Sequence, residues 1–544
     1  MSAINIDKTP GSAVLDSAHV GDIKGAFGTI LHGDEAPRTN WWARAKTFLA
    51  ILGPGLIVMV GDNDAGAFGT YTQAGQNYGT SLLWTLLLLV PVLYVNQEMV
   101  LRLGAVTGVG HARLILARFG RFWGAFSIID LFLLNALTIV TEFIGITLAL
   151  DFLGVSRELG VVAAAVLVVL AAGTGDFRRF ERFAVFLCFG SLLLVPVFLA
   201  AHPPIGRIAA DFVTPQLPAD GKLADVMLLI IGIVGTTIAP WQLFFQQSYV
   251  IDKRITPRFM RYQRADLWIG IVIVIVGAVA MMAFATTTFQ GHSEFGNFTD
   301  AGAVASGLDK YIGRIPGVLF AIALIDASII GAAAVSLATA YAIGDVFSLK
   351  HSLHRKATDA KGFYAVYAGL IALAAMLVLT PGTPLGLLTN AVQSLAGVLL
   401  PSATVFLLLL CNDKDVLGPW VNGRRLNLFT GAVIGVLVTL SIILTASVLF
   451  PDIAGETIVT ILAAGAGLAV FVALVTSVVR SIRGDVVVVD RRGLATWRMP
   501  PLEQLQPGRL TNQSQIWMSV LRLYLVGAGG LVLWRIVLLT FGNG

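Results

Sequence analysis

Two carboxylates inside a hydrophobic run are the residues of this chain best suited to chemistry. Asp62 and Asp64 flank Asn63 in the stretch "GDNDAGAFG" (61–69), within the first long apolar run. Charged side chains in a membrane segment are rare and usually face a water-filled cavity or a cation. The three glycines of the stretch weaken an α-helix, so the pattern predicts a cation site at a break in this segment. On an ideal helix Asp62 would lie about 200° from Asp64, which leaves open whether it assists at the site or lines an outer vestibule.

The composition of the chain indicates whether these carboxylates lie in a soluble protein or in a membrane protein. Of the 544 residues, 56% are hydrophobic and only 13% are charged, whereas soluble globular proteins carry roughly 25% charged residues. Apolar runs of about 20 residues, the length that crosses a hydrocarbon core of roughly 30 Å, recur from residue 46 onward. The chain is therefore predicted to be an all-α, polytopic membrane protein.

Thirteen apolar runs are candidate spans, and the first is interrupted by the glycines and aspartates. Their bounds are 47–80, 81–101, 124–153, 159–175, 183–201, 224–250, 266–289, 313–347, 362–380, 387–411, 426–450, 457–479 and 516–541. For the last run an interfacial helix is an equal alternative, because Arg522 and Arg535 bracket a short apolar core. The division predicts an N-terminal tail (1–45), a ten-helix core (46–411) and a C-terminal part (412–544) with two or three more helices and a cytoplasmic loop at 480–515.

The loops between these runs alternate in charge. Loops rich in arginine and lysine, such as 253–264, alternate with loops that nearly lack them, such as 291–300 and 451–456. Because basic loops stay in the cytoplasm, the N-terminus is predicted to lie there, in a multi-pass protein of the inner (plasma) membrane. The first 45 residues have no cleavable-signal pattern and are interpreted as a soluble tail.

The sixth run repeats the interruption of the first. It reads "IIGIVGTTIAPWQLFFQQS" (230–248), with Pro240 near its middle. Proline removes one helical hydrogen bond and clashes with the preceding turn. Two broken helices five spans apart predict a five-plus-five inverted repeat, since an odd offset starts the second group from the opposite side of the membrane. A binding site is then expected where the two breaks meet.

Both breaks offer oxygen ligands. Backbone carbonyls freed at Gly61, Thr236 and Thr237 would face a cation, and the Asp64 carboxylate would supply negative charge. The alternative is that the glycines permit close helix packing and the proline only kinks its helix. Two breaks in corresponding spans, together with two aspartates, favour the cation site.

Longer motifs surround these breaks. The first run reads "GPGLIVMVGDNDAGAFGTYTQAGQNYGTSLLW" (53–84), the third "LTIVTEFIGITLALDFLG" (137–154) and the sixth "GTTIAPWQLFFQQS" (235–248). They resemble the corresponding spans of the Nramp family of divalent-metal transporters, and the resemblance runs from about residue 47 to 450. It implies the inverted-repeat fold of the leucine-transporter type, with broken helices one and six, and membrane transport of a divalent cation.

Several positions depart from the family's motifs at the expected site. Asp64 and Gly66 match the family's aspartate and glycine, but Ala67 replaces a metal-binding asparagine. In the sixth span Ala239 stands where the family has a metal-binding methionine, and Trp241 stands where it has a histidine.

The third, eighth and tenth runs carry further polar candidates. Glu142 matches a glutamate of the family, whereas Ile139 replaces an aspartate linked to proton movement. Leu399 takes the position of a metal-contacting glutamine, while Gln393 remains one to two turns earlier. Asp326 is a carboxylate in the middle of the eighth run and could replace the lost proton relay. Glu142, Asp326 and Gln393 are therefore candidates for the cation pathway or for coupling.

The departures change the chemistry of the expected site. A thioether favours softer ions such as Mn²⁺ and Fe²⁺, whereas carboxylate, hydroxyl and carbonyl oxygens suit Mg²⁺. The loss of methionine resembles the Nramp-related magnesium transporters, although a degenerate site in a protein with another role is an alternative. The predicted metal-site residues are Asp64, Gly61, Thr236, Thr237, Ala239 and Asp62.

These features favour a transporter of Mg²⁺, Mn²⁺ or both, driven mainly by the membrane potential with weak or absent proton coupling. A proton-coupled Mn²⁺/Fe²⁺ symporter is the main alternative. A carrier of amino acids on the same fold is disfavoured, because the carboxylates of span one would repel a substrate carboxylate. A lipid-modifying enzyme is disfavoured because the basic loops contain no second carboxylate cluster. All seven histidines lie outside the apolar cores, so no cofactor is expected; nor is a nucleic-acid partner, and the protein is expected to be a monomer.

Overall fold

The computed structural model describes residues 13–218, 221–380, 385–450, 453–482 and 493–506, together with isolated positions between 508 and 534. Nine helices in the described ranges are each long and apolar enough to cross a membrane. They are Leu83–Thr107, Arg121–Leu153, Phe177–Ala201, Leu223–Asp252, Pro257–Phe289, Arg314–Phe347, Lys361–Val378, Ala391–Cys411 and Arg424–Ser447.

The remaining predicted spans correspond to shorter or broken helices. Pro54–Val60 and Ala65–Tyr78 form the first span, Arg157–Ala172 the fourth and Gly455–Ile482 the twelfth. The predicted thirteenth span (516–541) and residues 483–492 of the predicted cytoplasmic loop lie outside the continuously described ranges. Within the described chain, the helical architecture is the predicted one.

Two of the long spans are composite, and short helices occupy several loops. Span five consists of Phe177–Cys188, a 3-10 segment Phe189–Leu193, and Leu194–Ala201, while span six consists of Leu223–Thr237 and Pro240–Asp252. Span ten begins at Leu385 and ends at Cys411. The loop helices are His111–Phe119, Ile205–Val213, Ala301–Tyr311 and Lys414–Leu417, with 3-10 turns at Ser17–His19, Pro257–Phe259, Gly418–Trp420 and Leu502–Gln504.

Spans one and six are both interrupted near their centres, at Gly61–Asp64 and at Ile238–Ala239. Spans three and eight pack along each other, and span seven packs against both halves of span one. The breaks therefore lie inside the helix assembly, where protein groups rather than lipid surround the irregular backbone, as the membrane requires. This arrangement is the predicted five-plus-five inverted repeat.

A separate helix precedes the first span. Trp41–Ile51 ends before Gly53, whose φ of 150° is open only to glycine, and the chain bends by 50° into Pro54–Val60. The predicted start of span one at residue 47, and the domain boundary after residue 45, both fall inside this helix. Hydropathy gives no sign of the bend, because the backbone conformation of Gly53 and the following proline, not a change in polarity, end the helix.

Buried charges from later spans fix this bend. Asp266 of span seven accepts hydrogen bonds from three backbone N–H groups at the start of Pro54–Val60, over 2.7–3.2 Å. Lys253 donates to the last two carbonyl oxygens before Gly53, at 2.7 and 2.8 Å. It also pairs with Glu181 at 2.7 Å, and both side chains of this pair are fully buried. The entry to span one is thus held by charges on spans five, six and seven.

The N-terminal segment has a fixed place on the core from residue 13 onward. Ile23–Gly25 and Gly28–Ile30 form a two-stranded antiparallel hairpin that packs on Trp41–Ile51. Asp16 is fully buried and pairs with Arg355, beyond span eight, at 2.6 Å. Burial raises the pKa of Asp16, but the hydrogen bond from Arg355, the charge of His19 and the amides of Ala18 and His351 together outweigh it and hold that pKa below its usual range. The residues interpreted as a soluble tail therefore join elements that are far apart in sequence.

Candidate metal site

Span one loses its helical hydrogen bonds between Gly61 and Asp64. The amides of Asp62 and Asn63 bond to carbonyls three residues back, at 3.3 and 3.1 Å, so the last turn tightens. The carboxylate of Asp64 accepts a hydrogen bond from the amide of Ala67 at 2.9 Å and caps the helix that follows. Aspartate is a preferred N-cap. Among the described residues, no backbone donor reaches the carbonyl oxygens of residues 61–63, so these oxygens stay open to a ligand.

Span six breaks near its centre, at Ile238 and Ala239. Its first half ends at Thr237 and its second half begins at Pro240, which has no N–H to donate. Ala239 occupies the cap position and offers no side-chain hydrogen bond. The hydroxyl of Thr236 is buried and has no partner within the described chain. The second break therefore also presents unpaired oxygens to the interior.

The two breaks are in direct contact. Gln242 donates from its side-chain amide to the carboxylate of Asp62. The hydroxyls of Tyr71 and Thr237 lie 2.7 Å apart. All four side chains are fully buried, so the free oxygens of spans one and six border one shared interior region.

Spans three and ten complete the walls of this region. Glu142 accepts a hydrogen bond from the amide of Ala65 at 3.2 Å, and its carboxyl group interacts directly with that of Asp64. Gln393 lies against Gly66 so closely that a Cβ at this glycine would overlap the amide nitrogen of Gln393. A glycine at this position is therefore required for Gln393 to approach the break.

Known proteins are similar to this chain in sequence and in fold. The family model described as natural resistance-associated macrophage protein-like, or Nramp, matches residues 55–447, the whole inverted repeat. The chain belongs to the Nramp family. A divalent metal cation transporter MntH from Ralstonia nicotianae is 29% identical to this Nramp protein over 397 residues, 70% of the chain and 86% of the relative. One from Xylella fastidiosa is 28% identical over 461 residues, 81% of the chain and 92% of the relative.

A solved transporter structure supports the fold. The crystal structure of a manganese transporter from Eremococcus coleocola aligns with a TM-score of 0.62 and 21% identity, covering 82% of this chain and 97% of the other. An alignment at this level of identity supports the fold alone. The shared fold agrees with the arrangement of broken helices described above.

In this Nramp protein the polar residue that span ten contributes is Gln393. Leu399, which sequence comparison placed at the glutamine position of the family, lies six residues further along the helix and contacts Gly529 instead. Six residues rotate a side chain by about 240° around a helix, so Leu399 points away from Gly66. Of these two residues, Gln393 is therefore the one that lies beside the break.

Asp326 of span eight does not reach the breaks. Its half-buried carboxylate lies against Gly190, in the 3-10 segment Phe189–Leu193 of span five. The face of span eight that looks toward the site carries Gly331 instead, where a Cβ would lie 2.8 Å from the carboxyl group of Glu142. The structure thus brings together every predicted site residue except Asp326.

The groups available to a cation are oxygen donors. They comprise the carboxylates of Asp62, Asp64 and Glu142, the hydroxyls of Thr236 and Thr237, the amide of Gln393 and the carbonyls around Gly61. The side chain of Ala239 adds no ligand atom. Within the described residues, no group of three or more His, Cys, Asp or Glu side chains is placed to hold a metal ion by itself. Backbone, hydroxyl and water oxygens would have to complete the coordination.

The sequence analysis did not identify two residues, Tyr71 and Asn63, whose side chains hold the two breaks in place. Tyr71 was not singled out, although its hydroxyl contacts Thr237 across the two breaks. Asn63 donates to the carbonyl of Val274 in span seven at 3.3 Å and anchors the break from behind. A polar side chain two turns after Asp64 was a usable signal for Tyr71, whereas the partner of Asn63 depends on how span seven packs.

Proposed function

We propose that this Nramp protein carries Mg²⁺ and Mn²⁺ across the membrane, driven mainly by the membrane potential. Divalent metal cation transport is the activity that membership of the family supports, and it makes the protein a transporter rather than an enzyme. The observation that carries the finer proposal is the donor set at the two breaks, which is built from oxygen. Mg²⁺ prefers oxygen ligands and keeps several of its waters.

Position 239 tests this proposal about selectivity. Replacing Ala239 by methionine places a thioether at the second break, and sulfur binds Mn²⁺ better than Mg²⁺. The variant is expected to raise the preference for Mn²⁺ over Mg²⁺ about tenfold, which corresponds to about 1.4 kcal/mol. Competition between the two ions during uptake into proteoliposomes measures this ratio.

Ala239→Leu is the matched control, because leucine adds similar bulk without sulfur. A preference that rises equally in both variants would show an effect of size rather than of ligand chemistry. The assignment to Mg²⁺ fails if the wild-type protein ignores millimolar Mg²⁺ while it carries Mn²⁺ or Fe²⁺.

We also propose that transport is weakly coupled or uncoupled to protons. Trp241 and Ile139, both fully buried, stand where the family has titratable side chains, and neither can carry a proton. The membrane potential supplies about 2.3 kcal/mol per charge per 100 mV, or about 4.6 kcal/mol for a divalent ion. That energy corresponds to roughly thousandfold accumulation, so a proton gradient is not required.

A proton-coupled symporter is the second candidate, and the contact between Glu142 and Asp64 favours it. The pH inside proteoliposomes, recorded during metal entry at a clamped potential, separates the two. No acidification is expected from the wild-type protein. Acidification that disappears in Glu142→Gln would establish coupling through the site itself. Acidification that survives in Glu142→Gln and disappears in Asp326→Asn would make Asp326 the relay.

We propose further that the protein is a monomer of the plasma membrane with its N-terminus in the cytoplasm. The alternation of basic and non-basic loops supports this orientation. A protease-sensitive tag fused to residue 1 should resist cleavage in intact cells and be cleaved in inverted vesicles. The opposite result would reverse the topology, and light scattering of the purified protein would test its oligomeric state.

A further inference from the structure

A cavity of about 520 Å³ lies at the ends of spans two, seven and eleven, apart from the two breaks. Its walls include Glu98 and Arg102 of span two, Arg264 of span seven, and Arg424 and Arg425 at the start of span eleven. None of these residues contributes to the metal site, and transport of a cation offers no reason for a basic cavity.

Positive charge dominates the walls. Glu98 is the sole carboxylate among the described lining residues, and it is already paired with Arg264 at 2.7 Å and with Arg102 at 3.2 Å. Arg424 and Arg425 add two more guanidinium groups to the same cavity. An anion is therefore the ligand that fits the charge of the cavity.

The backbone adds further donors. The N-cap of the helix Arg424–Leu449 is Gly423, which lines the cavity and provides no side-chain hydrogen bond to the amides of the first turn. An uncapped helix N-terminus carries partial positive charge and binds phosphate groups. Arg102 is only 5% exposed, and its Nε has no hydrogen-bond partner among the described residues. Its other nitrogens are fixed by the carbonyl of Trp420 and the side chain of Asn422.

The surroundings of the cavity indicate a lipid rather than a soluble anion. Beyond Arg264, span seven turns an exposed apolar face outward, with Trp268 43% and Val272 56% exposed. Beyond Arg425, span eleven exposes Leu428 to 58%. Trp420 lines the cavity, and tryptophan is enriched at the headgroup level of membranes. A headgroup in the cavity would thus have its acyl chains beside apolar faces of the same two helices.

We propose that this cavity binds the phosphate of an anionic phospholipid headgroup. Basic pockets between helix ends on the side of the basic loops are suited to such headgroups. The bound lipid would bridge spans two and seven of the inverted repeat to span eleven, which lies outside it. It would therefore stabilise the attachment of the C-terminal helices to the transport core.

Thermal unfolding of the full-length protein in detergent tests the proposal. Phosphatidylglycerol is expected to raise the unfolding temperature by several degrees in a concentration-dependent manner, and phosphatidylcholine is expected to leave it unchanged, since only a ligand of the folded state stabilises it. The variant Arg424→Gln/Arg425→Gln should lose most of the shift. The control Arg261→Gln/Lys361→Gln removes the same charge from exposed positions at basic helix ends outside the cavity and should keep it.

Three outcomes would overturn the proposal. Equal loss of the shift in the two double variants would reduce the effect to general surface charge. A full shift in the Arg424→Gln/Arg425→Gln variant would place the lipid elsewhere. A shift produced by millimolar inorganic phosphate without lipid would assign the cavity to a soluble anion. If the double variant does not fold, Arg425→Gln alone should still weaken the response to phosphatidylglycerol.

Discussion

Replacing Asp64 by asparagine is expected to reduce saturable uptake of Mg²⁺ and Mn²⁺ by about a hundredfold or more, with the fold retained. The carboxylate is buried between the two breaks, beside Glu142 and the open carbonyls of span one. Removing one partner of a buried charge interaction costs about 2–5 kcal/mol, and a hundredfold loss corresponds to about 2.7 kcal/mol. Asparagine caps helices as well as aspartate does, so the hydrogen bond from Ala67 is expected to survive. Initial rates in proteoliposomes measure the loss.

Asp176→Asn is the matched control for this variant. Asp176 also caps a helix, accepting from the amide of Arg178 at 3.0 Å, but it lies in the loop between spans four and five, away from the breaks. Uptake by this control should match the wild-type rate. If Asp64→Asn transports normally while its unfolding temperature is unchanged, the ion site does not include span one.

Replacing Lys253 by methionine is expected to destabilise the protein by about 3–5 kcal/mol, the cost of leaving a buried charge without its partner. Lys253 is fully buried and holds Glu181 together with the two carbonyls that precede the bend at Gly53. Methionine keeps the length of the side chain but leaves the carboxylate of Glu181 unpaired. The unfolding temperature in detergent, with and without denaturant, reports the change.

The double variant Glu181→Gln/Lys253→Met should recover part of this loss, because residue 181 is then neutral. Lys310→Met serves as the control: Lys310 pairs with Glu294 at a similar distance of 2.8 Å, but its side chain is 60% exposed. Exposed pairs contribute about 0–1 kcal/mol. Equal destabilisation by Lys253→Met and Lys310→Met would contradict the structural importance of the buried pair.

The positions of the two breaks could be predicted because their signals are local. Glycines and aspartates interrupt span one, and Pro240 interrupts span six, so a few adjacent residues determine where helical hydrogen bonds stop. The inverted repeat followed from the spacing of these breaks. The bend before span one could not be predicted, because the run of apolar residues continues through Gly53, where the bend occurs.

The composition of the site walls could not be predicted in the same way. Whether Gln393 or Leu399 faces Gly66, and whether Asp326 faces the site or span five, depends on the rotation of each helix. Packing against neighbouring helices sets that rotation. An apolar run with little amphipathic pattern does not predict which of its faces will point toward the site. The contact of Gln242 with Asp62 joins residues 180 positions apart, and no local pattern encodes such a pair.

The docked N-terminal segment has a consequence for the order in which the chain folds. Asp16 binds Arg355, which lies 339 residues later in the chain, and the amide of Ala26 binds Glu181, 155 residues later. At about 5–20 residues per second, the ribosome reaches Arg355 roughly 20–70 s after it has made Asp16. Throughout that time the segment around Asp16 has no complete docking surface. This segment, although made early, is therefore among the last to reach its native position, after eight spans have already been inserted.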